Sequence, residues 1–350
     1  MKQMKRILAV VIIATMLLSA CGTKAQSSKE AEGQAETESQ ESKTGNTSEQ
    51  IVIRFGHNYA IDHPAEIVAQ EMKKELEEKS DGRIVLESYP SAQLGASREL
   101  MTGVMNGTIE MCVTSTFGTV EERILSVEMP YLFKDMDHIR AFMGSEYSEE
   151  LLQLLEEQNV HACGWWPVGY RNIGNTKHEV KTPEDLKGLT IRAFENEMLI
   201  DTLEALGANV TVLPVTEVYT ALQTGAIDGE ENPYLNTYTM KFYEVAKYKT
   251  ESRHLFNFDI VAFSKTFWDS LSTEDQELIE EVVKNGCERY ATLVEESDAE
   301  YRAKLETEGV QVTEIEDYEP WKKAVQPVYD KWEDKLGKEF IEGVRNLVEW

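Results

Sequence analysis

The folded part of the chain begins with alternating apolar and polar positions, followed by apolar positions at helical spacing. Alternation over residues 51–56 predicts a strand that ends near His57 and Asn58. A predicted amphipathic helix begins at Pro64. The same order then continues with a strand at 84–89, a helix at 97–105 and a strand at 109–114. This β-α-β-α-β order favours an α/β fold with a mostly parallel sheet and helices on both faces.

Polar residues follow the first and third of these strands. Ligands bind to open α/β sheets beyond the carboxyl ends of the strands. That rule selects His57 and Asn58 after the first strand, and Ser115 and Thr116 after the third. We therefore expect these side chains to line a binding site.

A second α/β unit follows. Its predicted strands and helices, in order, are strand 161–166, strand 189–193, helix 197–206, strand 210–213 and helix 216–224. Gly207 and Gly225 stand where helix C-caps are expected. Arg192 lies near the end of a predicted strand, where a binding group is expected.

The last hundred residues are predicted to be mainly helical. Residues 273–276 have the Thr-x-x-Gln form of a capping box, and helical spacing continues towards Leu305. A helix of roughly thirty residues is long for a globular protein. It suggests a strut that joins two lobes. A further helix is predicted from Trp321 to Leu336.

The N-terminus has the pattern of a bacterial lipoprotein signal. Basic residues precede an apolar segment at 7–18, which is too short to span a bilayer unaided. Leu18-Ser19-Ala20-Cys21 resembles a lipobox, so residues 1–20 are predicted to be a signal peptide. Cys21 would then carry a lipid and anchor the protein on the extracytoplasmic face of the cell membrane. The alternative is an ordinary secretory signal with an incidental cysteine.

Residues 21–50 are rich in Ser, Thr, Glu, Gln and Gly, which predicts a disordered linker after the lipidated cysteine. The formal net charge of the whole chain is −28, and no Lys/Arg-rich run stands out, so a nucleic-acid partner is not expected. Because remote surface charge is screened over about 8 Å, recognition of an anion must be local and buried. The other three cysteines show no metal-ligand spacing and are expected to be free thiols, with one disulfide as the alternative.

Two arginines precede a segment rich in acidic and amide residues. Arg171 lies in Gly169-Tyr170-Arg171, Arg192 lies in Gly188-Leu189-Thr190-Ile191-Arg192, and the segment extends from Glu217 to Pro233. A guanidinium binds a carboxylate with two parallel hydrogen bonds, and a carboxamide can orient the bound group. The pattern predicts the carboxylate site of a solute-binding protein that performs no chemistry. The alternative is that these arginines pair with internal Asp or Glu.

Several motifs together resemble the substrate-binding component of tripartite ATP-independent periplasmic (TRAP) transporters. They are Tyr89-Pro90-x-x-Gln93-Leu94-Gly95, Pro130-Tyr131-Leu132-Phe133, Gly169-x-Arg171, Pro183-Glu184-Asp185-Leu186-Lys187-Gly188-Leu189-x-Ile191-Arg192 and the Glu217–Pro233 segment. Their order and spacing extend the resemblance over essentially the whole chain from Ile51 onwards.

The resemblance implies a two-lobed, periplasmic-binding-protein-like clamp that closes on one small organic acid. It also implies hinge crossings of the chain and a long helix that spans both lobes. Lobe I would comprise 51–168 and 258–297, and lobe II would comprise 169–257 and 298–350. The implied partner is a TRAP permease with a large and a small membrane subunit. Neither a cofactor nor an enzymatic reaction is expected.

The same resemblance assigns roles to particular residues. Arg192 corresponds to the arginine that pairs with the substrate carboxylate, and Arg171 to a second arginine that supports it. Asn232 corresponds to an asparagine that donates to the same group, and Asn58 falls on a pocket position of the first lobe. These correspondences make Arg192 the expected centre of the site.

The ligand class follows from the polar residues around these positions. Ser97 and Ser115 stand where the sialic-acid branch of the family carries acidic residues, so sialate is not expected. Ser115, with His57 and Glu195 nearby, suits a hydroxylated acid. The prediction is a sugar acid such as a hexuronate or an aldonate, with a C4 dicarboxylate as the alternative.

An enzyme remains the rival class. The sequence contains no G-x-S-x-G, H-E-x-x-H, P-loop or Rossmann glycine signature. Paired carboxylates on separate strands could still form a secreted carbohydrate-active enzyme. The Glu230-Glu231 pair is instead expected to be structural, with Glu231 holding the loop or an arginine and Glu230 solvated.

Overall fold

The computed structural model describes residues 50–349. The predicted signal peptide, Cys21 and the rest of the predicted linker before residue 50 lie outside this range. In chain order, the strands are β1 (Ile51–Gly56), β2 (Ile84–Tyr89), β3 (Met111–Thr114), β4 (Val160–Asn175), β5 (Thr190–Ala193), β6 (Asn209–Val212), β7 (Gly229–Asn232), β8 (Tyr248–Ser264) and β9 (Gln311–Thr313).

The helices account for most of the remaining chain. They are α1 (Pro64–Lys79), α2 (Ser97–Met105), α3 (Met136–Met143), α4 (Glu146–Leu154), α5 (Glu197–Ala205), α6 (Val215–Thr224), α7 (Tyr234–Thr239), α8 (Lys265–Trp268), α9 (Thr273–Thr307), α10 (Glu319–Ala324), α11 (Gln326–Leu336) and α12 (Lys338–Arg345). The predicted long helix is confirmed as α9, with 35 residues. Its N-cap is Ser272, one residue before the predicted Thr273, and the Ser272 side chain accepts from the Asp275 N–H.

The sheet as a whole is mixed: the strands of the first predicted unit are parallel to one another, as expected, whereas the pairs at the centre of the sheet are antiparallel. Its strand order is β2-β1-β3-β8-β4-β7-β5-β6, and β9 pairs with β8. β1 pairs in parallel with β2 and β3, and β5 pairs in parallel with β6 and β7. The central pairs β3–β8, β8–β4 and β4–β7 are antiparallel. The two predicted α/β units are therefore the two ends of one sheet, which we call the first wing (β2-β1-β3) and the second wing (β7-β5-β6).

Two long antiparallel strands join the wings. β4 has 16 residues and β8 has 17, and they pair from Val160–Ser264 to Asn175–Tyr248. The pairing shifts register at three places, one of which lies between Pro167 and Gly169. The sequence pattern predicts only the first part of β4 and does not predict β8. We call this pair of strands, β4 and β8, the ribbon. It places side chains from both strands at the junction of the two wings.

The long helix α9 packs on this ribbon and on α1. Tyr290 of α9 stacks on Trp166 of β4, with 4.4 Å between the ring centroids. Close contact with α1 occurs at Gly286, where a Cβ atom would lie 2.6 Å from Sδ of Met72. The cysteines of the described part are free, as expected, although Cys163 is only partly buried. Within residues 50–349, no helix combines the length and the apolar character that crossing a membrane requires.

Candidate functional site: a buried arginine in an interwing cavity

A cavity lies where strands of both wings end at their carboxyl ends. It encloses about 470 Å³, including its opening to solvent. The first wing contributes residues that follow β1 and β3, the second wing contributes residues at the ends of β5 and β7, and the ribbon contributes residues from β4 and β8. The lining residues are Asn58, Tyr59, Ser97, Val113, Thr114, Ser115, Arg171, Arg192, Phe194, Val215, Asn232, Asn236, Met240, Asn257 and Asp259.

Arg192 is a buried cation in this cavity. It lies on β5, its residue is 2% exposed, and its Nε donates to the carbonyl oxygen of Leu213 at 2.8 Å. Among residues 50–349, no carboxylate forms an ion pair with it. Burial lowers the pKa of Arg192 to about 10, although the charge of Glu231 opposes this change. A buried guanidinium without a counter-ion is unfavourable, so the site favours an incoming anion.

Arg171 also lines the cavity but already has a carboxylate partner. Its Nη2 donates to Oε1 of Glu231 at 2.7 Å, and its Nε donates to Oε2 of the same residue. Its Nη1 donates to Oδ1 of Asn257 at 3.0 Å, and the Phe194 ring centroid lies 5.0 Å from its guanidinium carbon. Burial opposes the charge, but Glu231 outweighs it and the pKa of Arg171 is raised. The alternative of an internal partner therefore applies to Arg171 and not to Arg192.

The two adjacent glutamates both hold cations. Glu231 binds Arg171, which confirms the expectation that it holds an arginine. Burial opposes ionisation of Glu231, but Arg171 lowers its pKa to about 2. The expectation that Glu230 is solvated is wrong, because this residue is fully buried and its Oε1 lies 3.0 Å from Nζ of Lys249. Glu230 and Glu231 point to opposite sides of β7, as adjacent strand residues do, and both sides are covered.

Three further predicted residues lie in the cavity wall. Asn232 accepts from Nη2 of Arg171 at 3.2 Å and donates to Oε2 of Glu230 at 2.6 Å. Asn58, in the amide orientation that satisfies both ends, donates to the Gly95 carbonyl at 3.2 Å. Ser115 follows β3, as the strand-end rule predicted. The structure thus brings Arg192, Arg171, Asn232, Asn58 and Ser115 together.

His57 and Glu195 are not among the residues that line the cavity. His57 is fully buried, and its Nε2 lies 3.0 Å from Oε2 of Glu66 on α1. Glu195 is bound to Arg98 on α2 and lines a different, outer cavity. Thr116 is buried beside Thr114, with 3.1 Å between the hydroxyl oxygens, and does not line the interwing cavity.

Other cavity residues are not predicted by the sequence pattern. Tyr59 follows Asn58 directly, Phe194 follows β5, and Asn236 lies in the short helix α7 after the predicted amide-rich segment. Asn257 and Asp259 lie on the unpredicted strand β8. The side chain of Asn236 accepts from Nε2 of His63 at 3.2 Å. Recognising β8 would have required knowing which polar residues of its mixed sequence face the cavity.

Comparison with known proteins gives a consistent result. The family model described as bacterial extracellular solute-binding protein, family 7, matches residues 55–335. The sialic acid-binding periplasmic protein SiaP of Vibrio cholerae serotype O1 is 33% identical over 269 residues, which are 76% of this chain and 83% of that protein.

Solved structures agree in fold. A TRAP periplasmic solute-binding protein from Haemophilus influenzae RdAW with bound L-gulonate has a TM-score of 0.83 and 28% identity, covering 85% of this chain and all of that chain. Another from Pseudomonas putida F1, with bound D-glucuronate, has a TM-score of 0.82 and 29% identity, covering 86% of this chain and 98% of that chain.

Proposed function

Because the chain belongs to family 7 of the bacterial extracellular solute-binding proteins, we propose that it captures a hydroxylated organic acid, a hexuronate or an aldonate, for a TRAP permease. Members of this family bind small organic acids outside the cytoplasm and work with TRAP permeases. The resemblance that the sequence motifs indicated is thereby confirmed. What we propose is the identity of the ligand that this chain binds.

The observation that carries the proposal is the buried, unpaired guanidinium of Arg192. A ligand carboxylate at this point would supply the missing counter-ion and make charge-assisted hydrogen bonds, each worth about 1.5–3 kcal/mol. Arg171, held by Glu231, adds positive potential without needing the ligand as its partner. The proposed contact is therefore one carboxylate at Arg192, with Asn232 beside it.

Polar residues elsewhere in the cavity wall support a hydroxylated ligand. Asn58, Ser97 and Ser115 come from the first wing, and Asn236 comes from the second. These amides and hydroxyls are both donors and acceptors, which suits the hydroxyl groups of a sugar acid. The bound L-gulonate and D-glucuronate of the two similar structures are ligands of this kind.

We propose that the cavity closes by movement of two lobes, 51–168 with 258–297 and 169–257 with 298–350. Two observations support the first two boundaries. Gly169 has φ of +126° and directly follows the register shift at Pro167, and it pairs with Asn257 of β8. Both ribbon strands would therefore change lobe at the same rung, where the pairing is already irregular.

A ligand panel tests the proposed function. Micromolar affinity requires about −8 kcal/mol, and a ligand that binds only the native state raises the melting temperature. We expect thermal shifts with D-glucuronate, D-galacturonate or L-gulonate, followed by calorimetric affinities in the micromolar range or tighter. No shift with any hexuronate, aldonate, keto acid or C4 dicarboxylate would refute organic-acid capture. A shift with succinate or malate alone would assign the alternative ligand class.

Because members of this family are substrate-binding proteins, we propose that the ligand is returned unchanged. Mass spectrometry of a bound sugar acid after prolonged incubation should recover the original compound. Formation of more moles of a product than moles of protein would indicate the rival, enzymatic function.

We also propose that Cys21 anchors the protein through a lipid. The lipobox sequence supports this proposal. The Cys21→Ser variant should move from the membrane fraction to the soluble extracytoplasmic fraction and lose incorporation of labelled fatty acid. Equal membrane association of the variant and the unchanged protein would refute the anchor.

A further inference from the structure

The cavity contains an anionic side chain in addition to the arginines. Asp259 lies on β8 opposite Trp166 and is 6% exposed. The Tyr59 hydroxyl donates to its Oδ2 at 2.6 Å, and Ser115 hydrogen-bonds to the same carboxylate. No cation within residues 50–349 forms an ion pair with Asp259. Two neutral hydroxyls are therefore the protein partners of this carboxylate.

The nearby positive charge does not neutralise Asp259. Arg171 attracts it, but the guanidinium of Arg171 is already bound by Glu231. Burial raises the pKa of Asp259 to about 6, with Tyr59 and Arg171 opposing the change. At neutral pH the side chain is thus mainly ionised, while its environment makes the charge unfavourable. Further hydrogen-bond donors would stabilise it, and another anion would not.

We propose that Asp259 is a specificity-determining residue that accepts a hydroxyl of the ligand and rejects ligands with a carboxylate at that end. This inference rests on the proposed function, since it supposes that Arg192 binds one carboxylate. It goes further by giving a physical reason why the cavity would select a sugar acid over a dicarboxylate, the two ligand classes that the sequence left open. A sugar acid presents a hydroxyl to Asp259, whereas a dicarboxylate presents a like charge within a buried cavity.

The physical basis is an asymmetry between the two ligands. A hydroxyl donates to the carboxylate and occupies one of its free acceptor positions. A second carboxylate cannot donate, and two carboxylates that share a site cannot both ionise without a large rise in one pKa. A site with buried polar groups discriminates strongly against an analogue that leaves those groups unpaired. Asp259 therefore acts mainly by excluding the wrong ligand.

The experiment compares two ligands that differ only at one end. L-gulonate and D-glucarate share their carbon skeleton and stereochemistry, and D-glucarate has a carboxylate where L-gulonate has a terminal CH2OH group. Calorimetry would measure both with the unchanged protein and with Asp259→Asn. Asparagine keeps the shape of the side chain and an acceptor for Tyr59, but removes the charge. If the ligand panel favours the galacturonate stereochemistry, the corresponding aldonate and dicarboxylate of that series would replace this pair.

The unchanged protein should prefer the monocarboxylate at least 100-fold, and Asp259→Asn should reduce that ratio at least tenfold by improving D-glucarate binding. Glu99→Gln is the matched control, because it removes one negative charge from the exposed face of α2, and its ratio should stay unchanged. An equal ratio in Asp259→Asn and the unchanged protein would overturn the inference while leaving carboxylate capture intact. So would tighter binding of D-glucarate by the unchanged protein. If no organic acid binds at all, it is the proposed function that fails.

Discussion

The carboxylate of Glu231 binds the guanidinium of Arg171 through two nitrogen atoms, with 2.7 Å between Nη2 and Oε1. Arg192 lines the same cavity without such a partner. The two arginines are equally buried, so the difference lies in their partners and not in their exposure. One arginine is thereby part of the framework of the site, and we propose that the other binds the ligand. Substitutions should separate these two roles.

Arg192→Ala is expected to weaken ligand binding by about 2–5 kcal/mol, because a bound carboxylate would lose its counter-ion. Arg192→Lys keeps the charge but loses the planar pair of donors, so it should recover only part of the affinity. In the ligand-free protein, Arg192→Ala should leave the free energy of unfolding unchanged or raise it, since an unpaired buried cation is removed. Calorimetry and urea unfolding measure the two quantities. Unchanged affinity in Arg192→Ala would contradict the proposed site.

Arg171→Ala should have the opposite profile. It leaves Glu231 buried without its guanidinium partner, with Nε2 of His254 nearby at 3.6 Å, which costs about 3–5 kcal/mol of unfolding free energy. The double variant Arg171→Met with Glu231→Gln removes both charges and should recover at least half of that loss. Urea unfolding of the single and double variants tests this expectation. If the double variant were no more stable than Arg171→Ala, the ion pair would not explain the loss.

His63 should make stability depend on pH. Its Nδ1 accepts from the Ala65 N–H at the start of α1, which places the proton on Nε2, the atom that donates to Asn236. Burial lowers the pKa of His63 to about 3, although the bond to Asn236 opposes the change. As pH falls below about 6.5, the unfolded chain binds a proton that the native protein does not. The contribution of His63 therefore lowers the free energy of unfolding by up to about 1.4 kcal/mol for each pH unit below 6.5, until pH approaches 3.

The variant His63→Asn tests this dependence, because asparagine is a good N-cap and does not titrate. It should be less stable at pH 7, since it loses the ring stacked on Tyr59 at 4.2 Å. Between pH 6 and pH 4, its unfolding free energy should fall less steeply than that of the unchanged protein. Parallel slopes in urea unfolding over that range would show that His63 is not the responsible group.

Glu195 was expected at the ligand, and its position predicts a small effect instead. Its side chain is 39% exposed and that of its partner Arg98 is 60% exposed, so the ion pair should contribute little. Glu195→Gln should change ligand affinity less than tenfold, and raised salt should remove most of the difference. A loss of 100-fold or more by calorimetry would mean that Glu195 contacts the ligand in the closed protein.

Sequence reasoning located the strand ends well but could not decide which way each side chain points. Asn58 lines the cavity, whereas its neighbour His57 faces α1, because consecutive residues of an extended segment alternate sides. The strand-end rule selects both residues and does not distinguish them. Contact between His57 and Glu66 depends on how α1 packs back on β1, which periodicity does not specify.

The ribbon strand β8 was missed for a related reason. Its sequence mixes apolar residues with Thr250, Ser252, Asn257 and Asp259, so alternation is unclear and the only continuous apolar run of four residues is 260–263. Thr250, Asn257 and Asp259 are buried because partners distant in sequence satisfy them, as Tyr59 does for Asp259. The helix α9 was predictable because its spacing and its N-terminal cap are local signals. Long-range partners decide the cavity, and a single sequence does not display them.

The paired strands β4 and β8 connect the wings by a ladder of hydrogen bonds in place of two loose tethers. Any change in the angle between the wings must then bend these two paired strands, and we expect the bending to concentrate at the irregular pairing near Gly169. The angle between the wings in the absence of ligand is then determined by the stiffness and curvature of the paired strands. A substitution at Gly169, which does not line the interwing cavity, would change ligand affinity by changing the work of bending.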